Sequence, residues 1–157
     1  MKLRGWKPAL GYLILGSVLG LVENEIRPDS IPLVAAELQA VADSVNTLPA
    51  DSLAGIHLIG LTQAKAYYEQ GVPFVDARDI EEYTAGHIAG ALPNPNFMEL
   101  VFRLDTLQTR DDLLITYCDD PECGLSKNLA YDLQATGFTH LLVFEGGWTA
   151  WKEAGYP

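Results

Sequence analysis

Along the first third of the chain the pattern of apolar positions changes twice. Lys2, Arg4 and Lys7 precede fifteen uncharged residues, 8–22, and Glu23 and Glu25 follow at once. A run of that length falls between the core of a secretory signal, ~7–15 residues, and a membrane-spanning helix of ~20. No small-x-small cleavage site directly follows it, which favours an uncleaved signal anchor over a removed signal peptide. Gly11, Gly16 and Gly20 weigh against the third option, a buried helix of a soluble core. Residues 1–26 are therefore expected to form an N-terminal signal anchor, a single transmembrane helix. With the positive charges first, the amino terminus would lie in the cytoplasm and the rest of the chain outside it, in the periplasm if the source is bacterial. A second membrane protein is then a candidate partner.

Residues 27–55 read differently. Pro28, Pro32 and Pro49 frame Val34, Leu38, Val41 and Val45, whose three- and four-residue steps draw one apolar stripe. The segment is expected to be a stalk with one amphipathic helix.

From residue 56 onward, short apolar runs alternate with helix-like segments. IHLIG, VPFVDA, HIAGAL, DLLITYC and HLLVFE read as strands. QAKAYYEQ, with Thr62 as its cap and Gly71 as its close, DIEEYTAG, NFMELVFRLDTL, LSKNLAYDLQATG and GWTAWKEAG read as helices. Continuous apolar strands separated by helices predict an α/β domain over residues 56–157, a five-stranded and mostly parallel sheet covered on both faces. Ligands of such sheets sit beyond the carboxyl ends of the strands, which is where Cys118 falls.

Composition narrows the function. The 157 residues hold 21 acids against 10 bases, a formal net charge of −11, which argues against a nucleic-acid partner because phosphate neutralisation needs clustered Lys and Arg. Two cysteines do not make a disulfide framework, so the fold must rest on its core and the thiols are free for chemistry. With His57, His87 and His140 scattered along the chain, no metal-ligand spacing emerges, and no cofactor is implied.

Three motifs in order carry a resemblance. VDARDIEEYTAGHIAGALPNP over residues 75–95, ITYC ending at Cys118, and GFTHLLVFEGGWTAWKEAGYP over residues 137–157 resemble the signatures of the rhodanese-like domain. The resemblance implies a five-stranded parallel α/β sheet and, in active members, a cysteine that carries sulfane sulfur as a persulfide; here that residue is Cys118. The loop departs from the family. Common sulfurtransferase loops run Cys-x4-Arg before a Ser or Thr, and related phosphatase and arsenate-reductase loops run Cys-x5-Arg. Here seven residues separate Cys118 from Ser126, and Leu125 stands where the arginine would be. Without that guanidinium, bidentate recognition of an oxyanion is missing, which argues against phosphatase or oxyanion-reductase activity.

The candidate loop is Asp119, Asp120, Pro121, Glu122, Cys123, Gly124, Leu125 and Ser126. Its thiol must become a thiolate to attack. Lys127 is the only cation near it in sequence, so stabilisation is expected from loop amides curled at Gly124, the helix beginning at Ser126, and the Ser126 hydroxyl, which could equally be a helix cap. Three carboxylates about 8 Å away in water-like surroundings cost ~1.5 kcal/mol, while each amide bond to an anion contributes about 1.5–3 kcal/mol, so a closed cradle outweighs the acids. Cys123 is close enough in sequence to form a disulfide with Cys118 and act as a resolving thiol, or to pack as a small apolar residue. Asp76 and Arg78 read as an ion-pair brace and His87 as a turn-fixing hydrogen bonder. Gly146 and Gly147 read as punctuation admitting Trp148 to the loop; Trp148 and Trp151 read chiefly as core, with Trp148 able to wall the pocket and Phe97 and Met98 to line its other side. The leading expectation is a membrane-anchored sulfurtransferase supplied by a small sulfur donor or a protein-borne persulfide. The alternatives are a non-catalytic binding or redox-sensing module using Cys118 and Cys123, and a thiol-disulfide oxidoreductase, which the lack of a Cys-x-x-Cys pair disfavours.

Overall fold

A computed structural model describes residues 6–26, 39–40 and 53–157. The chain divides into two units, Met1–Glu37 and Leu38–Pro157. The described part of the first is helix α1, Trp6–Ile26.

The membrane anchor expected for residues 1–26 is not supported. The helix forms, but no helix among the described residues is long and apolar enough to cross a membrane. The reason lies in its composition: Glu23, Asn24 and Glu25 fall inside its last turn. The uncharged stretch of fifteen residues spans only ~22 Å at 1.5 Å per residue, against a hydrocarbon core of ~30 Å.

In the second unit, β1 is Gln39–Ala40, β2 is Gly55–Ile59, β3 is Phe74–Asp76, β4 is Leu92–Pro93, β5 is Leu113–Tyr117 and β6 is His140–Phe144. The helices are α2 (Leu61–Glu69), α3 (Ile80–Ala85), α4 (Phe97–Leu107), α5 (Leu125–Ala135) and α6 (Gly147–Glu153). All strands are parallel, in the order β1-β2-β6-β5-β3-β4. Five of them are the strands anticipated after residue 55. The sixth, β1, pairs with β2 through Gln39 opposite His57 and Ala40 opposite Leu58, where the apolar stripe had pointed to a helix. The stripe residues themselves, Val34, Leu38, Val41 and Val45, lie outside the described residues.

Alternation along the buried strands sorts the core into two layers. Ile59, Phe74, Ile115, Tyr117, Leu142 and Phe144 meet Ala64 and Tyr67 of α2 and Trp151 of α6 on one face. Ile56, Val75, Leu114, Leu141 and Val143 meet Leu100, Val101 and Leu104 of α4 and Leu129, Ala130 and Leu133 of α5 on the other. Burying a side chain of this size is worth ~1.5–3 kcal/mol, so these two layers supply most of the cohesion.

Two local expectations change. Helix α2 starts at Leu61, one residue ahead of Thr62, with Gly60 as its N-cap, whose N–H donates to Gln63 Oε1 at 3.3 Å. The third strand-like run contracts to Leu92–Pro93, because the chain turns at Gly90, whose φ of 83° is in the left-handed region that suits glycine.

Candidate active site

Strand β5 lies between β3 and β6, so its carboxyl end is flanked by strands on both sides. Cys118 is the next residue and is 1% exposed. The first turn of α6 fixes its backbone: the N–H of Trp148 donates to Cys118 O at 2.8 Å, and that of Thr149 to Asp119 O at 2.9 Å. This close approach requires glycine before the tryptophan. Gly147 has φ 59°, and a Cβ there would stand 2.6 Å from the carbonyl oxygens of both Cys118 and Asp119.

Beyond Cys118 the chain turns around Asp120. Its Oδ1 accepts from the N–H of Glu122 at 2.9 Å and of Cys123 at 3.1 Å, and Asp120 O accepts from Cys123 N at 3.2 Å. The turn carries Pro121 at its tip and brings Cys123 back over Cys118. The two cysteines are joined as a disulfide, with Cα atoms 6.3 Å apart. Gly124 then starts α5 without a side-chain cap. Leu125 is exposed, Ser126 is buried, and Ser126 O accepts from Thr116 Oγ1 at 3.0 Å, tying α5 to β5.

This arrangement differs from the amide cradle anticipated for the sulfur. Besides its bond to Cys123, the polar contacts of Cys118 Sγ are with Cys123 O at 3.2 Å, Ser126 Oγ at 3.5 Å and Asp120 O at 3.8 Å. Two of these three offer lone pairs, which oppose a negative charge on sulfur, and only the serine hydroxyl can donate. The amides of Glu122 and Cys123 are taken by Asp120. In the disulfide state, the loop is organised for a neutral sulfur.

The cation that the loop lacks in sequence arrives through the fold. Arg78 follows β3 and is 5% exposed. Its Nε and Nη2 donate to Asp76 Oδ1 and Oδ2 at 3.0 and 2.6 Å, and Nη2 also donates to Gly86 O at 2.8 Å. The guanidinium lies 5.6 Å from the Trp148 ring and 5.9 Å from that of Tyr117. Its remaining nitrogen, Nη1, stands 3.6 Å from Asp119 Oδ1. Burial alone would lower the pKa of Arg78, but the hydrogen bond and charge of Asp76, followed by Tyr117 and Asp119, lift it above its ordinary value. The Asp76–Arg78 brace therefore extends to the loop. Lys127 instead pairs with Glu145 at 3.2 Å.

Tyr117 completes this network and was not singled out by sequence. Its hydroxyl donates to Asp76 Oδ2 at 2.8 Å and accepts from Ile88 N at 3.2 Å. Burial, then the charge and hydrogen bond of Asp76, push the phenol far above its ordinary pKa, so it stays a donor. Its signal in sequence was a phenol hydroxyl at the carboxyl end of a buried, mostly apolar strand, one residue before the cysteine.

His87 lies away from the sulfur: its Nδ1–H donates to Tyr83 O at 2.8 Å, and the ring stacks on Tyr83. Trp148 is half-buried, and its ring comes so close to Gly86 that a Cβ there would be 2.8 Å from it. Asp119, Trp148, Thr149, Lys152 and Glu153 line an open depression of about 470 Å³ beside the loop. Phe97 packs against the core layer of α4 and Met98 is exposed; neither lines that depression. Among the described residues, no group of three or more His, Cys, Asp or Glu is placed to hold a metal ion.

A parallel sheet with helices on both faces, carrying a cysteine where a central strand runs into a helix-bound loop, defines a rhodanese-type α/β domain. Residues 61–154 match the rhodanese-like domain model, and the chain belongs to that family. It is 34% identical over 100 residues to the thiosulfate sulfurtransferase GlpE of Shewanella oneidensis, covering 62% of this chain and 87% of the relative. It is 25% identical over 114 residues to the mitochondrial protein HIGH ARSENIC CONTENT 1 of Arabidopsis thaliana, and the match spans 64% of each chain. The crystal structure of the Alr3790 protein from Anabaena superposes with a TM-score of 0.53 at 28% identity, covering 62% of this chain and 77% of that one.

Proposed function

We propose that the domain is a sulfurtransferase in which Cys118 carries sulfane sulfur. The observation that carries the reading is the seat of Cys118: a buried sulfur at the end of a central strand, its backbone held by α6, in a chain of the rhodanese-like family. The similarity to GlpE supports the same reaction class.

The cycle begins once an external thiol has reduced the Cys118–Cys123 bond. The Cys118 thiolate attacks the outer sulfur of a donor persulfide, a new S–S bond forms, the donor's own S–S bond breaks, and the donor leaves as a thiolate. An acceptor nucleophile then takes the outer sulfur and returns Cys118 to the thiolate. A small or protein-borne persulfide suits this loop better than thiosulfate. The chain has no loop arginine, Asp119 already occupies the free edge of Arg78, and Asp120 and Glu122 add negative charge at the entrance.

The test is intact mass of the reduced Cys123→Ser protein after incubation with thiosulfate, polysulfide or a small persulfide. One extra sulfur, removable by cyanide and missing from Cys118→Ser, is expected. An unmodified Cys118 with every donor would refute the reading.

The observed disulfide favours a second reading, a redox-sensing module without transfer. In that case, cellular function would follow the Cys118–Cys123 bond while Cys118 never gains sulfur.

A further inference from the structure

We propose that Cys123 is a resolving nucleophile, so that the domain reduces sulfane sulfur to free hydrosulfide and needs a dithiol to reset it. The inference rests on the sulfurtransferase reading and adds a second reacting residue to it.

Three observations carry it. The first is reach: Cys123 bonds Cys118 directly, and their Cα separation of 6.3 Å lies within the range that accommodates a disulfide. The second is preorganisation. Asp120 holds the returning limb of the loop through two amides, and the turn so formed delivers Cys123 to the sulfur. The third is that the Cys118 backbone is anchored separately by the Trp148 amide, so the target does not depend on the turn for its position. An internal thiol held in this way competes with external acceptors at a large effective concentration.

The chemistry balances. With one sulfur loaded, Cys118 is a persulfide, Sγ bonded to an outer sulfur. The Cys123 thiolate attacks Sγ, the Sγ–Sγ bond forms, the bond from Cys118 Sγ to the outer sulfur breaks, and the outer sulfur leaves with the electron pair and its proton as hydrosulfide. The sulfane sulfur gains two electrons, which the two cysteines supply in becoming the disulfide seen here. A small or protein dithiol then reduces that disulfide by two successive exchanges and is itself oxidised. Asp119, Asp120 and Glu122 favour departure of the anionic product, and they hinder approach of anionic acceptors that would otherwise take the outer sulfur.

The experiment uses reduced, desalted full-length protein and a small excess of glutathione persulfide, with no other thiol. Trapped sulfide and intact mass are read together, and Cys118→Ser sets the background. Wild type should release one hydrosulfide per chain in a burst and finish as the disulfide with no retained sulfur. Added dithiothreitol should convert the burst into steady release. Cys123→Ser and Cys123→Ala should keep one sulfur on Cys118 and show a burst reduced about tenfold or more. Wild type that retains the extra sulfur while Cys123 stays open to alkylation, or a Cys123→Ser burst equal to wild type, would overturn the resolving role and leave the sulfurtransferase reading intact. Failure of both Cys123 variants to take any sulfur would remove that reading, and this inference with it.

Discussion

Asp120 offers the sharpest test of how the loop controls its sulfur, because asparagine and alanine separate its two actions. Its carboxylate adds negative charge near Cys118, and its Oδ1 holds the amides of Glu122 and Cys123. Asparagine removes the charge and keeps an acceptor; alanine removes both. A carboxylate ~8 Å from the sulfur in water-like surroundings opposes ionisation by about 0.5 kcal/mol, or ~0.4 pKa units. An amide released to the sulfur contributes about 1.5–3 kcal/mol to the thiolate, or ~1–2 units. In a reduced Cys123→Ser background, which leaves a single thiol, Asp120→Asn should therefore lower the Cys118 pKa by about 0.4 units, and Asp120→Ala by about 1.5–2.5 units. The assay is the pH dependence of iodoacetamide alkylation, followed by mass. The asparagine effect should vanish at ~1 M salt, where screening acts within about 3 Å, while the extra alanine effect should remain. Equal shifts in the two variants would mean that the freed amides never reach the sulfur. A rise in the alanine variant would mean that Asp120 is what points them there. Either result refutes the competition described here.

Three further outcomes follow from the same geometry. Tyr117→Phe removes a hydrogen bond to the buried Asp76 carboxylate and orphans the Ile88 amide, which should cost about 2–4 kcal/mol in urea unfolding at neutral pH. Because the folded phenol holds its proton above the ordinary value of 10.0, its contribution is complete below that pH and declines as pH rises beyond it. The gap between wild type and Tyr117→Phe should narrow from pH ~8 to ~11, and a constant gap would contradict the assignment. Gly147→Ala should destabilise by about 2 kcal/mol or more and displace the loop, since its Cβ would strike two backbone carbonyls; a variant of wild-type stability and sulfur loading would count against that close approach. Asp119→Asn should lower the KM for thiosulfate up to about fivefold by releasing Arg78 Nη1, the modest size reflecting an aspartate that is 48% exposed; an unchanged KM would show that Arg78 does not attract the donor.

The sheet was legible because its strands are short, apolar and punctuated. LLITY and HLLVF are buried on both faces, so unbroken hydrophobicity and a helix between them left only a parallel pairing. Residues 39–40 were not legible, since the valine and leucine spacing around them matches a helix and their extended state depends on pairing with His57 and Leu58 across fifteen or more residues. The same gap between local and distant information governs the site. The position of Cys118 after an apolar run was plain, and so was the acidic character of its loop. What no local pattern encoded was the destination of the amides, captured by Asp120, or the return of Arg78 to the loop from β3. Sequence proximity made Lys127 the obvious cation, yet α5 turns it toward Glu145. At α1, the uncharged run was visible but too short, and three polar residues close the helix that was to carry it across a bilayer.

The two cysteines are not mechanically equivalent. One is mounted on a fixed post, its carbonyl clasped by the leading turn of α6; the other rides on a latch whose fastenings are a carboxylate and a glycine. Opening the bond should free the latch to move only about its carboxylate fastening and leave the post where it is, so the reacting sulfur keeps one address in both oxidation states while the latch alone records the redox history of the molecule.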